Sequence, residues 1–260
     1  MRKKINFIYI LFLLTNICVN GQNKIFVGYS NGSPVFDSFS EKTLYLYENK
    51  KGLEIIKKYP KKYLVYNIEN NFISFVEKLD EGYCIVIDDG KNETRLIYKN
   101  RPTCLSFDDK GVLYFTDYRT SEIVCIKKDK IEILGVKGYV VGIFNNHLYY
   151  TDISDSETIH ANVDLFEKSL LDLSKNAIKI LSNISGEAMR ISPDGDYIYD
   201  MILKEGSFKP FLYNRKNNEL KIIETVDKKF LTTVPFFSFQ EYDVLIFYDP
   251  ETIDLMKYQI

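Results

Sequence analysis

The chain has 260 residues, 45% of them hydrophobic and 15% aromatic, and a formal net charge of −2. That length and apolar share are enough for a sizeable core, and a closed all-β architecture can hold such a length as one domain. A mildly acidic chain with no basic run longer than three residues offers little to a phosphate backbone, so nucleic acid is excluded as an expected partner.

The chain opens with the basic stretch MRKK, followed by INFIYILFLLTNICV and the polar, small-residue stretch NGQ. This pattern predicts a secretory signal peptide over residues 1–22. Its uninterrupted apolar core is shorter than the ~20 residues a spanning helix needs, and no later segment is long and apolar enough, so no membrane span is expected in the mature chain. Without Arg2, Lys3 and Lys4, 31 basic residues stand against 36 acidic ones, a formal charge of −5. Residues 23–260 are then expected to form a single domain outside the cytoplasm, in the periplasm, at the cell surface or secreted. Three cysteines remain, Cys84, Cys104 and Cys125, each inside an apolar run. An odd number leaves at least one thiol unpaired, and burial as small hydrophobes is the expectation. With no CxxC and only His147 and His160, no zinc site or other cofactor is predicted.

From Thr43 onward a hairpin of two β-rich runs recurs: TLYLYENKKGLEIIKKY from Thr43, YCIVIDDGKNETRLIYK from Tyr83, EIVCIKKDKIEILGV from Glu122, SLLDLSKNAIKILSN from Ser169 and PFLYNRKNNELKIIETV from Pro210. A sixth first half, TIDLMKYQI, starts at Thr252. Markers at Leu44, Cys84, Ile123, Leu170, Phe211 and Ile253 are spaced by 40, 39, 47, 41 and 42 residues, the length of a four-stranded propeller blade. Two further short runs precede each hairpin: TCLSF and VLYFTD, VVGIF and HLYYTD, AMRIS and YIYDMI, separated by Asp, Asn and Gly turns. Each unit therefore reads as strands a, b, c and d, with the first strand a near 25–29. The prediction is a six-bladed β-propeller of four-stranded antiparallel blades, or five full blades plus a partial one, since the last unit lacks strand d.

LYFTD at 113–117 and LYYTD at 148–152 are the b strands of neighbouring units. Alternation places Leu113, Phe115 and Asp117 on one face and Tyr114 and Thr116 on the other, and both faces of a blade pack against its neighbours. The 20 Tyr and 18 Phe, with no Trp, suit flat rings between twisted sheets. These phrases resemble the YWTD repeat of low-density-lipoprotein-receptor propellers and the related NHL repeat, while ISPDGDYIYDM at 191–201 resembles the TolB-type repeat. The resemblance covers about three units and implies architecture, not activity. It also implies that Asp117 and Asp152, matching the Asp of YWTD, tie one blade to the next.

In such a ring the b-to-c and d-to-a loops gather at one end of the central channel, where function concentrates. That mouth is expected to carry Arg101, Asp117, Arg119, Asp152 and Lys204, with His160 in a longer loop at 153–168 of the fourth unit, read as a flap or a plain surface loop. The charges are mixed, no nucleophile elbow is present, and no acidic loop of the calcium-binding kind appears. The reading is a non-catalytic module that binds a protein or a polar small molecule. The alternative is a metal-dependent, lactonase-like hydrolase using the same mouth.

Overall fold

A computed structural model describes residues 25–30, 33–38, 43–48, 52–58, 63–69, 72–152, 163–185, 189–192, 194–204, 207–223, 236–241, 244–248 and 255–259. All regular structure among them is β. Blade one holds β1 (Ile25–Ser30), β2 (Ser33–Ser38), β3 (Thr43–Glu48) and β4 (Gly52–Lys58). Blade two holds β5 (Tyr63–Glu69), β6 (Phe72–Lys78), β7 (Tyr83–Asp88) and β8 (Glu93–Tyr98). Blade three holds β9 (Pro102–Phe107), β10 (Leu113–Asp117), β11 (Glu122–Lys127) and β12 (Lys130–Lys137). Blade four holds β13 (Tyr139–Phe144), β14 (His147–Thr151), β15 (Val163–Ser169) and β16 (Ile178–Ile184). Blade five holds β17 (Arg190–Ile191), β18 (Tyr197–Lys204), β19 (Ser207–Asn214) and β20 (Glu219–Ile222). The sixth sheet, β21 (Phe236–Glu241), β22 (Val244–Tyr248) and β23 (Leu255–Gln259), has three strands among the described residues.

Every sheet is an antiparallel meander in sequence order. The first strands form the inner ring: β1 lies against β5, β5 against β9, β9 against β13, β13 against β17, β17 against β21, and β21 against β1. The ring thus closes by the packing of first strands, each sheet keeping its own hydrogen bonds. β23 pairs with β22, Val244 opposite Gln259 and Tyr248 opposite Leu255, while β1 pairs with β2. The unit boundaries predicted at this seam therefore hold.

The cores lie between blades, as the alternation on strand b requires. Leu113 and Phe115 pack with Val76 and Ile85 of blade two, whereas Tyr114 packs with Val140, Leu148 and Tyr150 of blade four. Tyr149, Leu165, Ile198 and Phe211 fill the next interface. Rings meet at edges and tilts; Tyr98 stands T-shaped on Phe115 with centroids 5.1 Å apart, a contact beyond simple area burial. Cys125 is buried in the interface of blades three and four, Cys84 is buried and Cys104 is partly buried, all three as free thiols. Burial pushes the Cys125 thiol up to about 11, so it is not a thiolate at neutral pH.

Blade four corrects the predicted register. Its third strand is Val163–Ser169 and not the run beginning at Ser169, so the b-to-c connection is 152–162 and shorter than expected. In VDLFEKS Leu165 is fully buried and Phe166 is stacked on Tyr150 at 5.6 Å. The rest of the misleading run, LLDL at 170–173, lies in the c-to-d connection, where Asp172 Oδ1 accepts hydrogen bonds from the Ser174 backbone N–H at 3.1 Å and from Ser174 Oγ at 2.6 Å. Leu171 there is 78% exposed. Leu171→Lys should accordingly leave stability within ~0.5 kcal/mol of the parent in urea unfolding; a larger loss would restore the original register.

At the end holding the a-to-b and c-to-d turns, side chains tie blades three, four and five in sequence. Lys110 Nζ donates to Asn146 Oδ1 at 3.1 Å, and Asn145 Nδ2 donates to the Asp194 carbonyl at 3.1 Å. Arg215, in the c-to-d turn of blade five, reaches back to blade four. Its Nη2 pairs with Glu167 Oε2 at 2.7 Å and its Nη1 donates to Gly195 O at 3.0 Å and to the Tyr149 hydroxyl. Tyr149 in turn donates to Glu167 Oε1 at 2.8 Å.

Candidate functional site

In the first copy of the repeated phrase the Thr-Asp pair makes contacts to both neighbouring blades. In blade three Thr116 points toward blade four. Its Oγ1 donates to the Gly138 carbonyl and accepts from the Val140 N–H, both at 3.0 Å. Gly138 is needed at this junction because a Cβ there would stand 2.5 Å from the Thr151 carbonyl oxygen. Asp117 points the other way, and only 2% of the residue is exposed. Its Oδ2 accepts from the Tyr98 hydroxyl at 2.7 Å and from Asn100 Nδ2 at 2.8 Å, tying blade three to blade two. Its Oδ1 accepts from the backbone N–H groups of Arg119 at 2.8 Å and Thr120 at 3.1 Å, closing the turn after β10. Burial alone would raise the carboxyl pKa, but these four donors outweigh it and hold the group below its ordinary range.

The turn carried by Asp117 faces solvent. Tyr118 N–H donates to the Arg101 carbonyl at 2.9 Å, and Ser121 N–H donates to the Asp117 carbonyl at 2.8 Å. Tyr118 is 49% exposed, with the Arg101 guanidinium carbon 5.5 Å from its ring centroid. Arg119 is exposed beside it. Arg101, Tyr118 and Arg119 thus form one patch that joins the d-to-a loop of blade three to its b-to-c turn.

The other expected mouth residues sit on neighbouring blades. Asp152 follows β14 at the corresponding point of blade four and is exposed, so the second Asp of the repeated phrase does not reproduce the burial of the first. Its backbone N–H donates to Asp164 O at 3.1 Å. Lys204 ends β18 opposite Ser207, and the Ser185 N–H donates to Met201 O at 3.2 Å, which puts the blade-five corner at the same end. His160 lies outside the described residues. Of the expected set, the structure groups Arg101, Asp117 and Arg119, with Asp117 turned inward as a brace, Arg119 exposed and Arg101 half-buried against the Tyr118 ring. Tyr98 and Asn100, which hold Asp117, were not singled out from sequence; they lie 19 and 17 residues away from it, and no local pattern announces the contact. Among the described residues no group of three or more His, Cys, Asp or Glu side chains is placed to hold a metal ion, and no helix is long and apolar enough to cross a membrane.

A ring of antiparallel four-stranded sheets closed through its inner strands, with loops gathered at one end, defines a β-propeller. The chain is similar in fold to three solved structures of that form. One is a nidogen/laminin complex, with TM-score 0.58 and 12% identity over 84% of this chain and 86% of that one. Another is TolB from Acinetobacter baumannii, with TM-score 0.59 and 13% identity over 96% and 67%. The third is a streptogramin B lyase, with TM-score 0.54 and 12% identity over 94% and 85%. A scan against protein-family models finds no match, nor does a search of curated proteins. The sequence resemblance to YWTD-like and TolB-like propellers is thereby upheld at the level of fold, while the matched proteins include both an assembly of two proteins and an enzyme.

Proposed function

We propose that this chain is an exported, non-catalytic β-propeller that binds a protein or a polar small molecule at the end carrying the b-to-c turns. The observation that supports it most is the division of labour at blade three. Asp117 is committed to bracing the fold, while Tyr118 and Arg119 are presented to solvent on a turn fixed by that brace, with the half-buried Arg101 against the Tyr118 ring. Rigid presentation of aromatic and guanidinium groups suits recognition, because little conformational freedom is lost when a partner arrives. Asp152 and Lys204 extend the same rim, and His160 belongs to it on the sequence reading. A signal peptide over 1–22, expected from the sequence, would leave the domain, 23–260, outside the cytoplasm.

The rival class is a metal-dependent hydrolase. The deciding experiment measures metal content of the purified chain by mass spectrometry and assays a panel of lactones and aryl esters with and without added calcium or manganese. The expected result is far less than one metal per chain and no turnover. Stoichiometric metal together with turnover that a chelator abolishes would replace the binding reading with the enzymatic one.

A further inference from the structure

We propose that the outer corner made by the c-to-d connections of blades three and four docks on an anionic lipid surface. Leu171, Leu173 and Ile178 enter the interface and lysines meet the headgroups. The corner lies at the end of the ring opposite the b-to-c turns, so this docking and the binding proposed for those turns can fail separately.

Exposed apolar surface is the first argument. The connection between β15 and β16 divides its apolar residues. Leu170 and Ala177 turn inward onto the cluster that also packs Cys125 and Leu134 of blade three, which sets the two connections side by side. Leu171, Leu173 and Ile178 stay outside, 78%, 39% and 65% exposed. The connection is also held in place: Leu170 N–H donates to Asn146 O at 2.8 Å, Lys168 Nζ donates to Lys175 O at 2.6 Å, and Asp172 Oδ1 accepts from Ser174. Apolar side chains kept outward on a fixed connection beyond the strand ends suit the shallow interface of a bilayer, which needs no complementary pocket.

Charge complementarity selects an anionic surface. Residues 127–130 and 168–179 hold six lysines against Asp129 and Asp172, a local charge of +4 in a chain of −2. Lys127, Lys128, Lys130, Lys175 and Lys179 are exposed. Counting Glu132 and Asp164 on the flanking strands leaves +2. Lys179 pairs with that Asp164 at 2.6 Å, and Glu167 is matched by Arg215. The a-to-b turn of blade three, nearer the axis, adds Asp108, engaged by the N–H groups of Lys110 and Val112, and the opposed charges of Asp109 and Lys110. Lys127 stands directly opposite Lys130 across the turn at 128–129, an arrangement of like charges that costs stability and that an outside anion relieves. Lysine stems run along apolar surface while the ammonium groups stay at headgroup level, which places both kinds of side chain correctly at one interface.

The test is co-sedimentation of the chain, as purified after export, with phosphatidylcholine vesicles made with and without an equal share of phosphatidylglycerol. The expected result is binding to the mixed vesicles at least about tenfold tighter than to pure phosphatidylcholine, weakening as salt rises. Leu171→Ser combined with Leu173→Ser should weaken it at least about tenfold, and Lys128→Gln combined with Lys175→Gln at least about fivefold, while the urea midpoint of both variants stays that of the parent. Ile97→Ser, an exposed change on the outer strand of blade two, should leave vesicle binding unchanged. No sedimentation with either vesicle, or binding that survives the leucine changes, would overturn the proposal. Equal binding to both vesicles would overturn the anionic assignment. Self-association that the leucine changes abolish, without vesicle binding, would overturn it in favour of a second copy of this chain.

Discussion

Replacing Asp117 by Ala should lower the unfolding free energy by about 3–4 kcal/mol, because four buried or half-buried donors lose their acceptor at once. Those donors are the Tyr98 hydroxyl, Asn100 Nδ2 and the N–H groups of Arg119 and Thr120. Asp117→Asn should cost about 2 kcal/mol: its oxygen can still serve the turn, but its amide nitrogen meets a second donor, Asn100, where a carboxylate oxygen stood. The pH dependence follows from the depressed carboxyl pKa. A group ionised more readily in the folded state contributes stability that is complete above the unfolded pKa of about 3.9 and disappears as pH falls through the lower folded value. Urea unfolding at several pH values should therefore show the gap between parent and Asp117→Asn closing below about pH 4. A gap that stays constant down to acid pH would mean that the carboxylate charge does not hold blades two and three together. The substitution should also loosen the Tyr118–Thr120 turn, whereas Arg119→Gln, an exposed change, should leave stability within ~0.5 kcal/mol.

The sequence makes the blade plan legible because a blade is built from local features. Strand b of blade three announces itself by alternation, and the structure sends Phe115 and Tyr114 to opposite interfaces as that alternation demands. Turns such as DDKG and PDGD separate strands where the chain does reverse, with Gly111 and Gly195 at positive φ. Local pattern fails where two alternatives have the same pattern. SLLDL and VDLFEKS both set apolar residues among polar ones, and only the packing of Leu165 against blade five decides that the second is the strand. The site divides in the same way. Position along the repeat brings Arg101 and Arg119 to one end, but it cannot tell that Asp117 faces inward while Asp152 is exposed. That outcome depends on Tyr98 and Asn100 arriving from the preceding blade, a contact set by the ring as a whole.

Arg215→Ala should be the most damaging single change at the opposite end of the ring, lowering stability by about 2–3 kcal/mol and Tm by roughly 5–10 °C. Arg215 sits in a turn of polar residues, NRKN, that reads as solvent-exposed, yet its side chain is only 25% exposed and that of Glu167 13%. The guanidinium joins three blade-four and blade-five groups, Glu167, the Tyr149 hydroxyl and the Gly195 carbonyl, and lies 5.2 Å from the Tyr149 ring centroid. Removing it leaves a mostly buried carboxylate whose remaining neutral donor is Tyr149, and an uncompensated charge is worse than no charge. Glu167→Gln in the same chain should therefore recover about 1 kcal/mol, since the amide oxygen still accepts from Tyr149 without needing a counter-charge. The neighbouring Lys216 supplies the control. Its pair with Asp196 is short, but the lysine side chain is 71% exposed, so Lys216→Ala should cost no more than ~0.5 kcal/mol. A thermal and urea double-mutant cycle over Arg215 and Glu167 reads the coupling directly. Additive losses, within ~0.5 kcal/mol, would show that the two groups merely lie side by side and that blades four and five are held by their apolar interface alone.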